Sequence, residues 1–247
     1  MTASHSPLLT HPLAFIGGGN MARSLIGGLI KRGADPSRIR VAEPAEPLRA
    51  ALAADFGVQV FADAGEATYG ADTWLFAVKP QVMRTVCESL ASRAQSQRPL
   101  SVSIAAGITA AQMQRWLGGN VPVVRSMPNT PAMLGAGVTG LHASDEVDAA
   151  GRQRAELLLS SAGPTVWIDS EAKMDAVTGV SGSGPAYVFL LAEAMEDAAR
   201  AEGLSDDAAR TLVLQTILGA ARMLGESGET PPERRRRVTS PNAPNAA

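Results

Sequence analysis

Leu13-Ala14-Phe15-Ile16-Gly17-Gly18-Gly19-Asn20-Met21-Ala22 reads as four apolar residues, three glycines and the opening of an amphipathic run. The apolar four make a strand candidate, and residues 22–31 have helical spacing. The glycines between them fit G-x-G-x-x-A. In that pattern Gly17 permits a tight turn and Gly19 lets backbone approach a pyrophosphate, while Ala22 allows close helix–sheet packing. The helix start then offers oriented N–H groups to an anion. A glycine motif alone is weak. Its strand–turn–helix setting makes dinucleotide binding the expectation, over a βα turn without ligand.

Outward from this turn the pattern repeats. Strand candidates are 39–42, 58–61, 73–78, 100–104 and 121–125, separated by helix-like runs at 47–55, 81–94 and 110–117. A further strand pair, 138–142 and 165–168, brackets a helix starting after Asp145. Apolar strands alternating with helices predict an α/β fold with a doubly wound, Rossmann-like parallel sheet covered on both faces. After Asp169 the strand signal stops, and 173–180, 185–202 and 206–225 read as helices, the last with Ser205 as its N-cap. So short a helical part has little core of its own, which predicts a face buried against a partner chain.

Composition narrows the function. Of 247 residues 45% are hydrophobic and 19% charged, with a net charge of −2. No global field exists to hold nucleic acid or an anionic membrane. The run Arg234–Arg237 reads as a solvated helix face. A single cysteine, Cys87, excludes a disulfide framework and a Cys-rich zinc site, and His5, His11 and His142 are too scattered for a metal centre. The first residues lack the basic and apolar segments of a signal peptide, and no apolar run has transmembrane length, so a cytoplasmic protein is expected.

Five further segments follow strand candidates or open helices. Glu43 stands about 24 residues past Gly19, near where an acid bonds the ribose 2′-hydroxyl of NAD. A carboxylate there repels the 2′-phosphate of NADP unless Arg49 or Arg23 compensates, so the residues alone lean to NAD. Ala77-Val78-Lys79-Pro80 ends a strand, which puts Lys79 within reach of a cofactor or on the surface as a solvated lysine. Ala105-Ala106-Gly107 reads as backbone beside a nicotinamide or as a plain loop, and Met127-Pro128-Asn129-Thr130-Pro131 as a site wall or a structural turn. In Val180-Ser181-Gly182-Ser183-Gly184-Pro185 a glycine–serine turn opens a helix, either as an anion site or as a helix–helix connection.

Taken in order, GGGNMA at 17–22, AVKPQ at 77–81, AAGIT at 105–109, RSMPNTP at 125–131 and MDAVTGVSGSGPAY at 174–187 resemble the pyrroline-5-carboxylate reductase family. The resemblance spans residues 13–241. It implies a dinucleotide domain over 13–168 and a helical dimerisation and substrate domain over 169–238, flanked by a flexible 1–12 and an aberrant 239–247. The implied reaction is hydride transfer from NAD(P)H to 1-pyrroline-5-carboxylate, giving L-proline, in a homodimer or higher homo-oligomer whose sites lie where subunits meet. NADP is the cofactor the family implies, with NAD the alternative. Carried over by position, Gly17, Gly18, Gly19, Asn20, Met21, Ala22, Glu43, Ala77, Val78, Lys79, Pro80, Ala105, Ala106 and Gly107 line the cofactor. Glu171, Val238 and Ser240 contact substrate, and no side chain is singled out as the acid.

The chain departs from the family's V-x-S-P-G-G-x-T at Asn242, where a glycine is usual, and then ends at Ala247. Ala64 stands where Asn is common. The expectation drawn is a truncated or frameshifted reading frame. Two other readings stand beside the reductase. One is a dinucleotide-binding protein without turnover. The other is a β-hydroxyacid dehydrogenase, in which Lys173 would have to serve as the catalytic lysine, although it precedes the glycine–serine segment.

Overall fold

A computed structural model describes residues 11–238, which divide into two compact units, one running to Pro185 and the other starting at Ala186. The first is built on β1 (Leu13–Ile16), β2 (Ile39–Ala42), β3 (Gln59–Phe61), β4 (Thr73–Phe76), β5 (Leu100–Ser103), β6 (Val123–Met127), β7 (Thr139–Ala143) and β8 (Thr165–Trp167). They form one sheet in the order β3-β2-β1-β4-β5-β6-β7-β8. Its connecting helices are α1 (Asn20–Lys31), α2 (Glu46–Phe56), α3 (Ala64–Thr68), α4 (Pro80–Gln97), α5 (Ala110–Trp116) and α6 (Ala149–Leu159), with α7 (Met174–Val177) following β8.

Side chains alternate between the two faces of a strand, and here both faces are dry. Leu13 and Phe15 of β1 join one apolar cluster with Val41, Leu75 and Val124, whereas Ala14 and Ile16 join the other with Trp74, Phe76 and Val123. The helices match this with single apolar stripes. Ala22, Leu25, Ile26 and Leu29 of α1 are buried on the first face, and Met83, Cys87, Leu90 and Ala94 of α4 on the second. Burial pushes the Cys87 thiol up to about 12, so it stays protonated and inert at neutral pH.

Two sequence expectations are corrected, and one short helix was not expected. β7 runs antiparallel to β6, so the sheet is not wholly parallel. The link between them contains only a 3₁₀ turn, Thr130–Leu134, and a parallel return needs a longer crossover. β6 is displaced two residues along from 121–125. Pro122 has no N–H and contributes only its carbonyl, to Ser101, and the strand instead continues to Met127 opposite Gly140. The five-residue α3 has no periodic signal; Asp63 starts it by accepting from the Glu66 N–H.

The second unit is helical: most of α8 (Gly184–Ala201), then α9 (Asp206–Glu226) and α10 (Pro231–Val238). Ser205 caps α9, as expected, by accepting from the Ala208 N–H at 3.3 Å. On α10, Arg235, Arg236 and Arg237 are exposed, as a solvated helix face requires, whereas Arg234 is half-buried; Arg234 and Arg237 both pair with Glu229 at 2.6 Å.

Candidate active site

The chain leaves β1 towards β2 on one side, and β4 flanks β1 on the other, so the strand order reverses beside β1. Ligands of doubly wound sheets lie beyond the strand ends at such a point. Four of the singled-out segments meet there, after β1, β2, β4 and β5.

Gly17 turns with φ +100°, and a Cβ on it would lie 2.6 Å from the Ala77 carbonyl oxygen, so only glycine fits. Its N–H donates to Ala42 (2.8 Å), while Ala77 N–H donates to Ile16 (2.8 Å), tying the β2 and β4 ends to this turn. Gly18 is crowded for a different reason: a Cβ there would lie 2.5 Å from the Leu52 Cδ1 and push that methyl aside. Gly19 contrasts with both. Its φ of −68° suits any residue, and a Cβ there would meet nothing within 4 Å. Gly19 is also the N-cap of α1, and no side chain caps that helix. The first-turn N–H groups of Asn20, Met21 and Ala22 therefore face a cradle kept open by a missing side chain, which fits the pyrophosphate of a dinucleotide.

Glu43 leaves the end of β2 and folds back on this turn. Its Oε2 accepts from the Gly18 N–H at 3.0 Å and its Oε1 from the Ala45 N–H at 2.9 Å. Beyond β4, Ala77 and Val78 are half-buried, Lys79 is exposed, and Pro80 is the first residue of α4. Beyond β5, Ala105 is buried whereas Ala106 and Gly107 are exposed; Gly107 has φ +75° and open space around it.

Glu171 lies close to this region. Its Oε1 accepts from the Ala110 N–H at 2.7 Å, at the start of α5, and faces the buried Arg125 guanidinium at 3.4 Å. In the sequence Arg125 is marked only as a cation inside the apolar strand V-V-R-S-M. Asn129 holds its own loop through Oδ1, which accepts from the Val138 N–H at 3.0 Å. The glycine–serine segment is no free turn. Thr178–Gly182 is one turn of π-helix closed by Ser183 N–H onto Thr178 (2.8 Å), continuing α7 into α8. The Thr178 and Ser181 hydroxyls donate to the Met174 and Val177 carbonyls. Lys173 is held by both Asp169 oxygens at 2.8 Å. Val238, the last residue of α10, belongs to the other unit, and Ser240 lies outside the described residues. Among the described residues no cluster of His, Cys, Asp and Glu is arranged to hold a metal.

Comparison with known proteins draws these parts together. Residues 171–247 match the family model for pyrroline-5-carboxylate reductase dimerisation, and residues 12–107 match that described as NADP oxidoreductase coenzyme F420-dependent. A pyrroline-5-carboxylate reductase of Pseudomonas aeruginosa is 51% identical over 94% of this chain and 85% of its own length. The chain belongs to the pyrroline-5-carboxylate reductase family. A solved family structure from Coxiella burnetii superposes with a TM-score of 0.91 at 39% identity, covering 96% of this chain and 88% of its own. A pyrroline carboxylate reductase of Plasmodium falciparum with NADP bound gives 0.84 at 26% identity, covering 96% and 87%.

Proposed function

We propose that this chain is an NAD(P)H-dependent oxidoreductase acting on a C=N bond. It reduces 1-pyrroline-5-carboxylate to L-proline, the last step of proline biosynthesis. The observation that carries the reading is the uncapped start of α1, open at Gly19 on the switch point of the sheet, in a chain of this family.

The bound dinucleotide supplies the hydride. The chain supplies position: the α1 N–H groups hold the pyrophosphate, Gly17 keeps the β1 and β4 ends close, and the exposed 106–107 backbone after β5 borders the reacting ring. A proton on the imine nitrogen makes the adjacent carbon electrophilic and can come from solution, so the reaction asks for no strong side-chain acid. Substrate is assigned to Val238 and Ser240 on the family's pattern. Glu171, with an oxygen on Ala110 N–H, supports the loop before α5 as well as any substrate contact. Lys173, clamped by Asp169, is poorly placed to act as a hydroxyacid dehydrogenase lysine.

No helix among the described residues is long and apolar enough to cross a membrane. The protein works in the cytoplasm on a small molecule, without nucleic acid or membrane partners, as a homodimer or a higher homo-oligomer.

The test is consumption of NADH and NADPH by purified protein given 1-pyrroline-5-carboxylate, beside the Gly19→Val variant. Wild type is expected to turn over. The variant is expected to lose cofactor binding while keeping its unfolding midpoint, because position 19 has room for a side chain only where a pyrophosphate would lie. Cofactor binding without turnover would overturn the reductase reading. Unchanged affinity in Gly19→Val would overturn the placement of the dinucleotide.

A further inference from the structure

We propose that Glu43 makes this chain prefer NADH, the dinucleotide without a 2′-phosphate; the inference rests on the dinucleotide site proposed above. In a doubly wound sheet the adenosine ribose lies at the end of β2, beside the glycine turn. Glu43 is the residue that follows β2, and its backbone is fixed there by its own N–H, which donates to Phe61 at 2.9 Å.

Its side chain is fixed as well. One carboxylate oxygen accepts from Gly18 N–H and the other from Ala45 N–H, so the group spans the gap between the glycine turn and the start of α2. Its Cβ and Cγ lie 3.3 and 3.4 Å from where a Gly18 Cβ would stand. A carboxylate has about four acceptor positions. With two filled by backbone, the others remain for ribose hydroxyls, which are donors. A 2′-phosphate brings only acceptors and negative charge to the same place.

Compensating groups for a phosphate are otherwise engaged. The Gly18 and Ala45 N–H groups are taken by Glu43 itself. The first turn of α2 carries an acid, Glu46, and Pro47, which has no N–H. Arg49 reaches this corner but turns its Nη1 onto the Glu43 and Pro44 carbonyl oxygens, at 2.8 and 2.9 Å. Arg23 pairs with Asp55 and lies over the Phe56 ring, 5.1 Å from its centroid. A 2′-phosphate would lie close to the Glu43 carboxylate, and Arg49, with Nη1 committed to two carbonyl oxygens, could answer it only through its other N–H groups.

Fluorescence titration of NADH and NADPH against the full chain, with no substrate present, tests this directly. Wild type is expected to bind NADH about tenfold or more tightly than NADPH, the scale of one close like-charge contact near a protein surface. Glu43→Ser is expected to erase or reverse that ratio, chiefly by tightening NADPH. Equal or tighter NADPH binding by wild type overturns the proposal whether or not the variant folds, and so does an unchanged ratio in a folded Glu43→Ser. Failure of folded wild type to bind either nucleotide overturns the dinucleotide site itself, and the role of Glu43 with it.

Discussion

The two units of this chain place their apolar residues in opposite ways. In the first, every residue of β1, β4 and β5 is buried, and the sheet is sealed by one apolar cluster on each face. In the second, α8 buries nothing. Tyr187, Val188, Phe189, Leu190 and Leu191 are 60, 43, 66, 65 and 54% exposed. Five consecutive residues go right round a helix, so no single neighbouring surface can cover them all. A stretch that is apolar all round belongs inside an assembly, and the charged residues of α8, Glu193, Glu196, Asp197 and Arg200, come only after it. The match of residues 171–247 to a dimerisation family fits a homo-oligomer. The first unit has a core of its own to stabilise it, and we propose that the second relies on association.

Trp74→Ala should break the first half of this contrast. Trp74 is fully buried, donates from Nε1 to the Ala71 carbonyl at 3.0 Å and packs against Phe76. Its loss should cost about 3–5 kcal/mol, seen as a large fall in denaturation midpoint at every protein concentration. A midpoint within error of wild type would mean that this core does not hold the unit.

Leu190→Asp addresses the second half. A carboxylate on the exposed face of α8 should weaken self-association by about 2 kcal/mol, roughly thirtyfold, by sedimentation. The first unit should melt as before. An unchanged assembly mass would show that α8 lies outside the interface.

A smaller effect concerns Cys87 on α4. Burial, helped slightly by the charge of Glu88, raises its thiol from 9.0 to about 12. A pKa raised in the folded state means the protonated form favours folding. This contribution is complete below pH 9 and is lost as pH climbs towards 12. Urea midpoints of wild type should fall between pH 8 and pH 10.5 by more than those of Cys87→Ala, and a thiol reagent at pH 8 should label only unfolded chains. Rapid labelling of folded protein would show that the second apolar cluster opens readily.

Most elements and half of the site could be read from the chain because their causes are local. Alternation in Leu13–Ile16, the α1 stripe from Ala22 to Leu29, the Ser205 cap and the left-handed turn at Gly17 each depend on neighbours within a few residues. The tertiary structure decided what depends on distant partners. The direction of β7, the crowding of Gly18 by Leu52, and the Glu43 carboxylate on Gly18 N–H are pairings across long separations. So is the placement of Glu171 between Ala110 and Arg125. An acidic residue after a strand looks the same in the chain whether it faces water or reaches a backbone N–H; only the packing that brings β2 beside the β1 turn distinguishes the two.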